Sequence, residues 1–281
     1  MFLHELKEGI TKAFFMECAC LVAMMEGESA VQIMQKQGTA ADSSDSEALN
    51  EAASAFAELL AGLKQGTYKP NYIPYAKSID RNELSMLKEY AQELCKNSDY
   101  STSRFQDFID ISLGDDYAES YEVDSRGPSS SGEFSSLAAL FYKETKQAVK
   151  KHENDAQLTQ SVMQSIMEKG ATLQDLDKNT LQYALLDMPD IKWQVFLQVL
   201  KDLANEKQKH ISAMTQKEKM VFIFELLGMG YASGKLEQKE HSLIKEICSV
   251  LELDVEYIDE LNEHVAKIYA AYTEALKIIN E

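Results

Sequence analysis

The segment beginning at Thr215 limits the fold most narrowly. Thr215-Gln216-Lys217-Glu218 has the form of a capping box, in which the Thr hydroxyl accepts from the Glu backbone N–H and the Glu carboxylate returns to the Thr N–H. The helix it opens carries Met220, Val221, Phe222, Ile223, Phe224, Leu226, Leu227, Met229 and Tyr231, with Glu225 as its one charge between Met220 and Tyr231. A helix apolar on nearly every side has no face to offer water, so it belongs inside a bundle of other helices.

Two more helices come directly after it. Ser233-Gly234-Lys235-Leu236 supplies a turn, with Gly234 able to take the left-handed conformation that ends a helix. From about Glu237, Leu243, Ile244, Ile247, Cys248 and Leu251 share one face, while Lys239, Lys245 and Glu246 take the other. Asp254 is placed to cap a third helix. Its seam of Ile258, Leu261, Val265, Ile268, Tyr272, Ala275 and Ile279 alternates steps of three and four, the spacing of a coiled-coil edge.

The run Ala232 to Glu240, with Ile244-Lys245-Glu246-Ile247 and Leu251-Glu252-Leu253-Asp254 after it, resembles the second signature half of the tellurite-resistance TerB-like family. Members of that family are small all-helical domains with an Asp-Gly turn and a Glu seven residues after the Asp. Gly234, Leu236 and Glu240 fall in phase with that pattern, and Ser233 stands where the Asp belongs. The best echo of an earlier copy, Leu21 to Gly27, has Ile33 in place of the Glu. The resemblance covers residues 215–261 and implies, where the Asp is intact, an acidic cluster for a hard divalent cation. Here it points to Glu237 and Glu240, three apart on one helix face beside Ser233 and Gly234, as a weakened calcium or magnesium site.

Composition narrows the class further. Four prolines and twelve glycines in 281 residues, and no convincing period-two alternation, give an all-α helical bundle throughout. With 28 basic against 46 acidic residues the net charge is −18, which repels nucleic-acid phosphate and anionic membrane surfaces. Cys18, Cys20, Cys95 and Cys248 sit within apolar helical patterns and read as reduced core thiols of a cytoplasmic protein. Ala13 to Met25 is interrupted by Glu17, lacks a cleavage site after it, and falls short of the roughly twenty residues a bilayer requires. No membrane insertion is expected.

Upstream, Leu3, Leu6, Ile10, Phe14, Cys18, Leu21 and Met25 fit one amphipathic helix ending at Gly27, with a shorter helix to Gly38 after it. A second capping box, Ser44 to Glu47, opens a helix to Gly66; Pro70 and Pro74 hold an extended crossing, and Asp80 with Glu83 restarts a helix through Leu94. Ser125 to Gly132 reads as a flexible Ser/Gly-rich linker. It separates an N-terminal helical region of no assigned family (1–124) from a helical TerB-like domain (137–281), with 125–136 between the two lobes. Beyond it come a helix from Phe134 with a basic end at Lys143 to His152, two short helices up to Met188, and a helix from Ile191 to Leu203 with Trp193, Phe196, Leu197 and Leu200 on its core face.

Asp107, Asp110, Asp115, Asp116, Glu119 and Glu122, set among tyrosines, lack the spacing of an EF-hand and read first as a solvated acidic loop and second as a surface for a partner. No phosphate loop, G-x-S-x-G, H-E-x-x-H or Cys-x-x-Cys is present, and Glu260 with His264 is the acid–histidine pair placed to touch along one helix. The resemblance therefore implies a non-enzymatic stress-response or defence protein acting through protein partners. The residues leave two alternatives. One is a metal-dependent hydrolase or metal-handling protein built on Asp107, Asp110, Asp115 and Asp116; the other is a structural protein that dimerises through the C-terminal helix.

Overall fold

The computed structural model describes residues 2–25, 79–95, 136–152 and 188–280. Among them are seven α-helices and no strand: α1 (Gly9–Met25), α2 (Arg81–Cys95), α3 (Ser136–His152), α4 (Pro189–Ala213), α5 (Gln216–Tyr231), α6 (Gln238–Val250) and α7 (Glu256–Asn280). The all-α bundle read from the sequence is what these residues build. The helix to Gly38, the Ser44 box, the Pro70 and Pro74 crossing, the acidic run, the linker up to 135 and the short helices before Met188 lie outside the described residues.

The bundle is organised around α1. Every residue from Thr11 to Met25 is buried, and the helix touches α2, α4, α5 and α6. The periodic stripe suggested one amphipathic helix from Leu3. Instead, a 3-10 turn at Leu3–Glu5 ends in extended backbone at Leu6 before α1 begins. This break lets Leu3 and Leu6 both point inward, while Phe2 sets its ring edge-on to Phe224 and its N–H on the Glu225 carboxylate. Within the core, Phe15 packs edge-on to Tyr90 of α2 and Phe222 of α5, with ring centroids 5.2 Å apart in both pairs. Each such ring removed from water contributes about 1.5–3 kcal/mol.

Burying α1 on all sides also buries Glu17. Its carboxylate meets the Lys207 ammonium of α4 at 2.8 Å, with both side chains withdrawn from solvent. α4 runs on past Leu203 to Ala213, which brings Lys207 to that point. Its core face is Ile191, Val195, Phe196, Val199, Leu200 and Leu203, so Trp193 and Leu197 sit at the edge rather than on it. α3 lies antiparallel to α4: Lys143 pairs with Asp202 at 2.5 Å and Lys151 donates to Gln194 at 3.3 Å. The basic end of α3 thus meets α4.

The Thr215 capping box forms as read, with Glu218 N–H to Thr215 Oγ1 at 3.2 Å and Thr215 N–H to Glu218 Oε2 at 2.9 Å. Leu243, Ile244, Ile247, Cys248 and Leu251 all reach the core from α6 and its end. That helix closes in a Schellman arrangement, Leu253 N–H to Cys248 O and Glu252 N–H to Ser249 O, with Glu252 at φ 55° where a glycine is usual. Asp254 then accepts the Glu256 N–H at 3.0 Å and starts α7.

Along α7 the expected seam divides. Ile258 and Val265 are buried, but Tyr269, not Ile268, turns inward after them and stacks on Tyr231 at 5.7 Å. The path 258, 262, 265, 269 keeps to one side of a straight 3.6-residue helix, whereas a 3.5-residue seam drifts away from it by about 20° per heptad. Ile268, Tyr272 and Ile278 are left 53%, 61% and 70% exposed. Helices from both sides of residues 125–136 share one hydrophobic core, with no distinct C-terminal lobe among the described residues.

Candidate acidic site at the turn between α5 and α6

Two glycines shape the turn. Gly234 stands at φ 108° and donates to the Tyr231 carbonyl at 3.0 Å. A β-carbon on Gly230 would lie 2.3 Å from Leu236 Cδ1, so the absence of a side chain there lets Leu236 fold back over α5. Ser233 remains exposed at the rim, its hydroxyl 3.3 Å from the Lys235 carbonyl.

The two carboxylates singled out by the sequence part company. Glu237 turns outward, half exposed, and pairs with Lys235. Glu240 turns inward, is almost fully buried, and accepts the Glu237 N–H at 2.9 Å, so its first role is to cap α6. It meets a residue from another helix, Glu83 of α2, whose carboxyl is hydrogen-bonded to both Glu240 and Ser233. Glu83 accepts the backbone N–H of Asp80 just as Glu240 accepts that of Glu237. The first turns of α2 and α6 therefore face each other with matching acidic caps.

Burial, and then the Asp80 carboxylate, push Glu83 up to about 7. Ser233 offers a neutral hydroxyl to the Glu83 carboxyl. In the sequence Glu83 reads only as a helix start. The signal for more is the repeated acid-x-x-Glu pattern at 80–83 and 237–240.

A hard divalent cation asks for six or more oxygens, several of them charged. The turn brings together Glu83 and Glu240 but sends Glu237 elsewhere. Among the described residues no group of three or more His, Cys, Asp or Glu side chains is placed to hold a metal. Of the two carboxylates to which the resemblance points for calcium or magnesium, Glu240 is the one that meets a further acid, Glu83. Asp107, Asp110, Asp115, Asp116, Glu119 and Glu122 lie outside the described residues.

His210, His241 and His264 stand apart from that turn's acidic pair in separate contacts or in solvent. His241 lies 3.5 Å from Asp259 of α7, which also holds Lys245 at 2.9 Å; burial foremost, with Lys245, depresses the imidazole. His210 meets Glu8 at 2.8 Å near the surface, and Glu260 and His264 both face solvent. Cys18, Cys20 and Cys248 are free and buried, their thiols pushed up by that burial, Cys248 to about 12. Such thiols are poor nucleophiles. No helix among the described residues is long and apolar enough to cross a membrane.

No protein-family model, no curated protein and no solved structure matches the chain.

Proposed function

We propose that the protein works by binding other proteins rather than by catalysis, and that the outer half of α7 is its recognition element. One observation carries this reading: Ile268, Tyr272 and Ile278 stand more than half exposed along a single helix whose inner half is anchored by Ile258 and Val265. Large apolar side chains left exposed along one helix are what helix-recognising partners bury. The titratable groups of the α5–α6 turn are engaged in capping and in holding helices together, which favours a structural use for them. The likeness of residues 215–261 to TerB-like proteins supplies the biological setting of the proposal, a cytoplasmic role in stress response or defence.

The test is capture of partners from lysate on the immobilised protein, compared with an Ile268→Glu, Tyr272→Glu variant whose helical content is checked by circular dichroism. Partners lost from the variant and retained by Glu237→Gln support the reading. An identical set on the wild type and the α7 variant refutes it.

A further inference from the structure

The partner best suited to the outer half of α7 is the same helix of a second copy. We propose that two chains associate through this segment, packed antiparallel about a two-fold axis near Ala271, an inference that rests on α7 being the recognition element. Exposure marks the surface: Ile268, Tyr272 and Ala275 succeed one another at steps of four and three and are all open to solvent. Ala271, between them and also exposed, is small enough to let two helices approach closely.

Charge decides both the occupant and its direction. The chain as a whole carries −18 and would repel its own copy over most surfaces. Residues 264–280 carry Lys267, Glu274 and Lys277, a sum of +1, so self-repulsion is least there. Residues 254–263 carry Asp254, Glu256, Asp259, Glu260 and Glu263 and no basic residue. A parallel copy would set these acidic segments side by side at the 8–10 Å spacing of packed helices. It would also carry Lys267 and Glu274 of the two chains to opposite flanks of the contact, where neither meets an opposite charge.

An antiparallel copy reverses each of these. About an axis near Ala271, Lys267 of one chain comes level with Glu274 of the other, twice by symmetry. The two acidic segments are carried to opposite ends, about 35 Å apart at 1.5 Å per residue and far beyond the screening length of physiological salt. Ile268 of each chain then faces Tyr272 and Ala275 of its mate. The stripe is thus complementary to itself in one orientation only.

Sedimentation equilibrium of the full chain over a wide concentration range tests this, using the wild type, Ile268→Glu, Lys267→Glu and the exchange Lys267→Glu with Glu274→Lys. A reversible dimer is expected, weakened at least about a hundredfold by Ile268→Glu and about tenfold by Lys267→Glu. The exchange should restore it, because antiparallel pairing again sets opposite charges level. These residues are exposed, and circular dichroism confirms that each variant folds. A wild type that stays monomeric overturns the inference, as does a dimer indifferent to Ile268→Glu or one that the exchange fails to rescue. A monomer that still captures partners through α7 leaves the binding reading standing and removes only the second copy. A monomer that captures none removes both.

Discussion

Replacing Lys207 with methionine should be among the most damaging single changes in this protein. Lys207 Nζ lies 2.8 Å from Glu17 Oε2, and Glu17 is wholly buried on the central helix. Methionine keeps most of the volume of the lysine stem and leaves a carboxylate without its ammonium partner in a low-dielectric core. Breaking a buried pair from one side costs about 3–5 kcal/mol, a large share of the roughly 5–15 kcal/mol that holds a domain together. Removing both charges, Glu17→Leu with Lys207→Met, leaves no stranded charge and should recover most of that loss. Urea denaturation at pH 7, monitored by circular dichroism, measures all three forms, with an unchanged slope certifying that the midpoints report stability. The deficit of Lys207→Met should also shrink on acidification, because protonation relieves the carboxylate that has lost the Lys207 ammonium. A loss below about 1 kcal/mol, or a double variant no more stable than the single one, would refute the buried pair as described.

Glu252 stands at φ 55° in the turn closing α6, so Glu252→Gly should raise stability by about 1 kcal/mol; a fall in the urea midpoint would mean that its side chain matters more than its backbone. Glu83 is raised from 4.5 to about 7 in the folded protein, so the folded state holds a proton that the unfolded state gives up. Its contribution is whole below pH 4.5 and is lost as pH climbs to 7, about 3 kcal/mol in all, and Glu83→Gln should flatten stability across that window. An unaltered pH profile in Glu83→Gln would show that other groups set the dependence. Calorimetric titration of metal-free protein with calcium and magnesium should give no saturable heat that depends on Glu237 and Glu240, whereas binding abolished by Glu237→Gln with Glu240→Gln would restore the cation chemistry implied by the TerB-like resemblance.

What the sequence made legible was local. The Thr215–Glu218 box, the core face of α6 and the turn at Gly234 each depend on residues within about one helical turn, and each forms as read. The α7 seam was legible as a pattern but not in its division. A step of three or four fits both a 3.5-residue and a 3.6-residue period, and only the packing of Tyr269 on Tyr231 decides between Tyr269 and Ile268. The place of α1 was hidden for a related reason. The stripe from Leu3 to Met25 obscured an apolar run with Glu17 as its one charge from Ala13 to Met25, the same all-round signature that marked α5. Pairings such as Glu17 with Lys207, Glu83 with Glu240 and Tyr90 with the Glu225 carbonyl join distant parts of the chain, and no periodicity rule reaches that far.

Native-state hydrogen exchange, resolved by residue under conditions where opening is at equilibrium, probes most directly the claim that one core is built around α1. The amides of α1 should exchange only with global unfolding, at the same free energy and with the same denaturant dependence as those of α5 and the inner turns of α7. If α1 exchanged through a cheaper opening while α4 to α6 stayed protected, the chain would be two lobes rather than one core, and α1 would not be its centre.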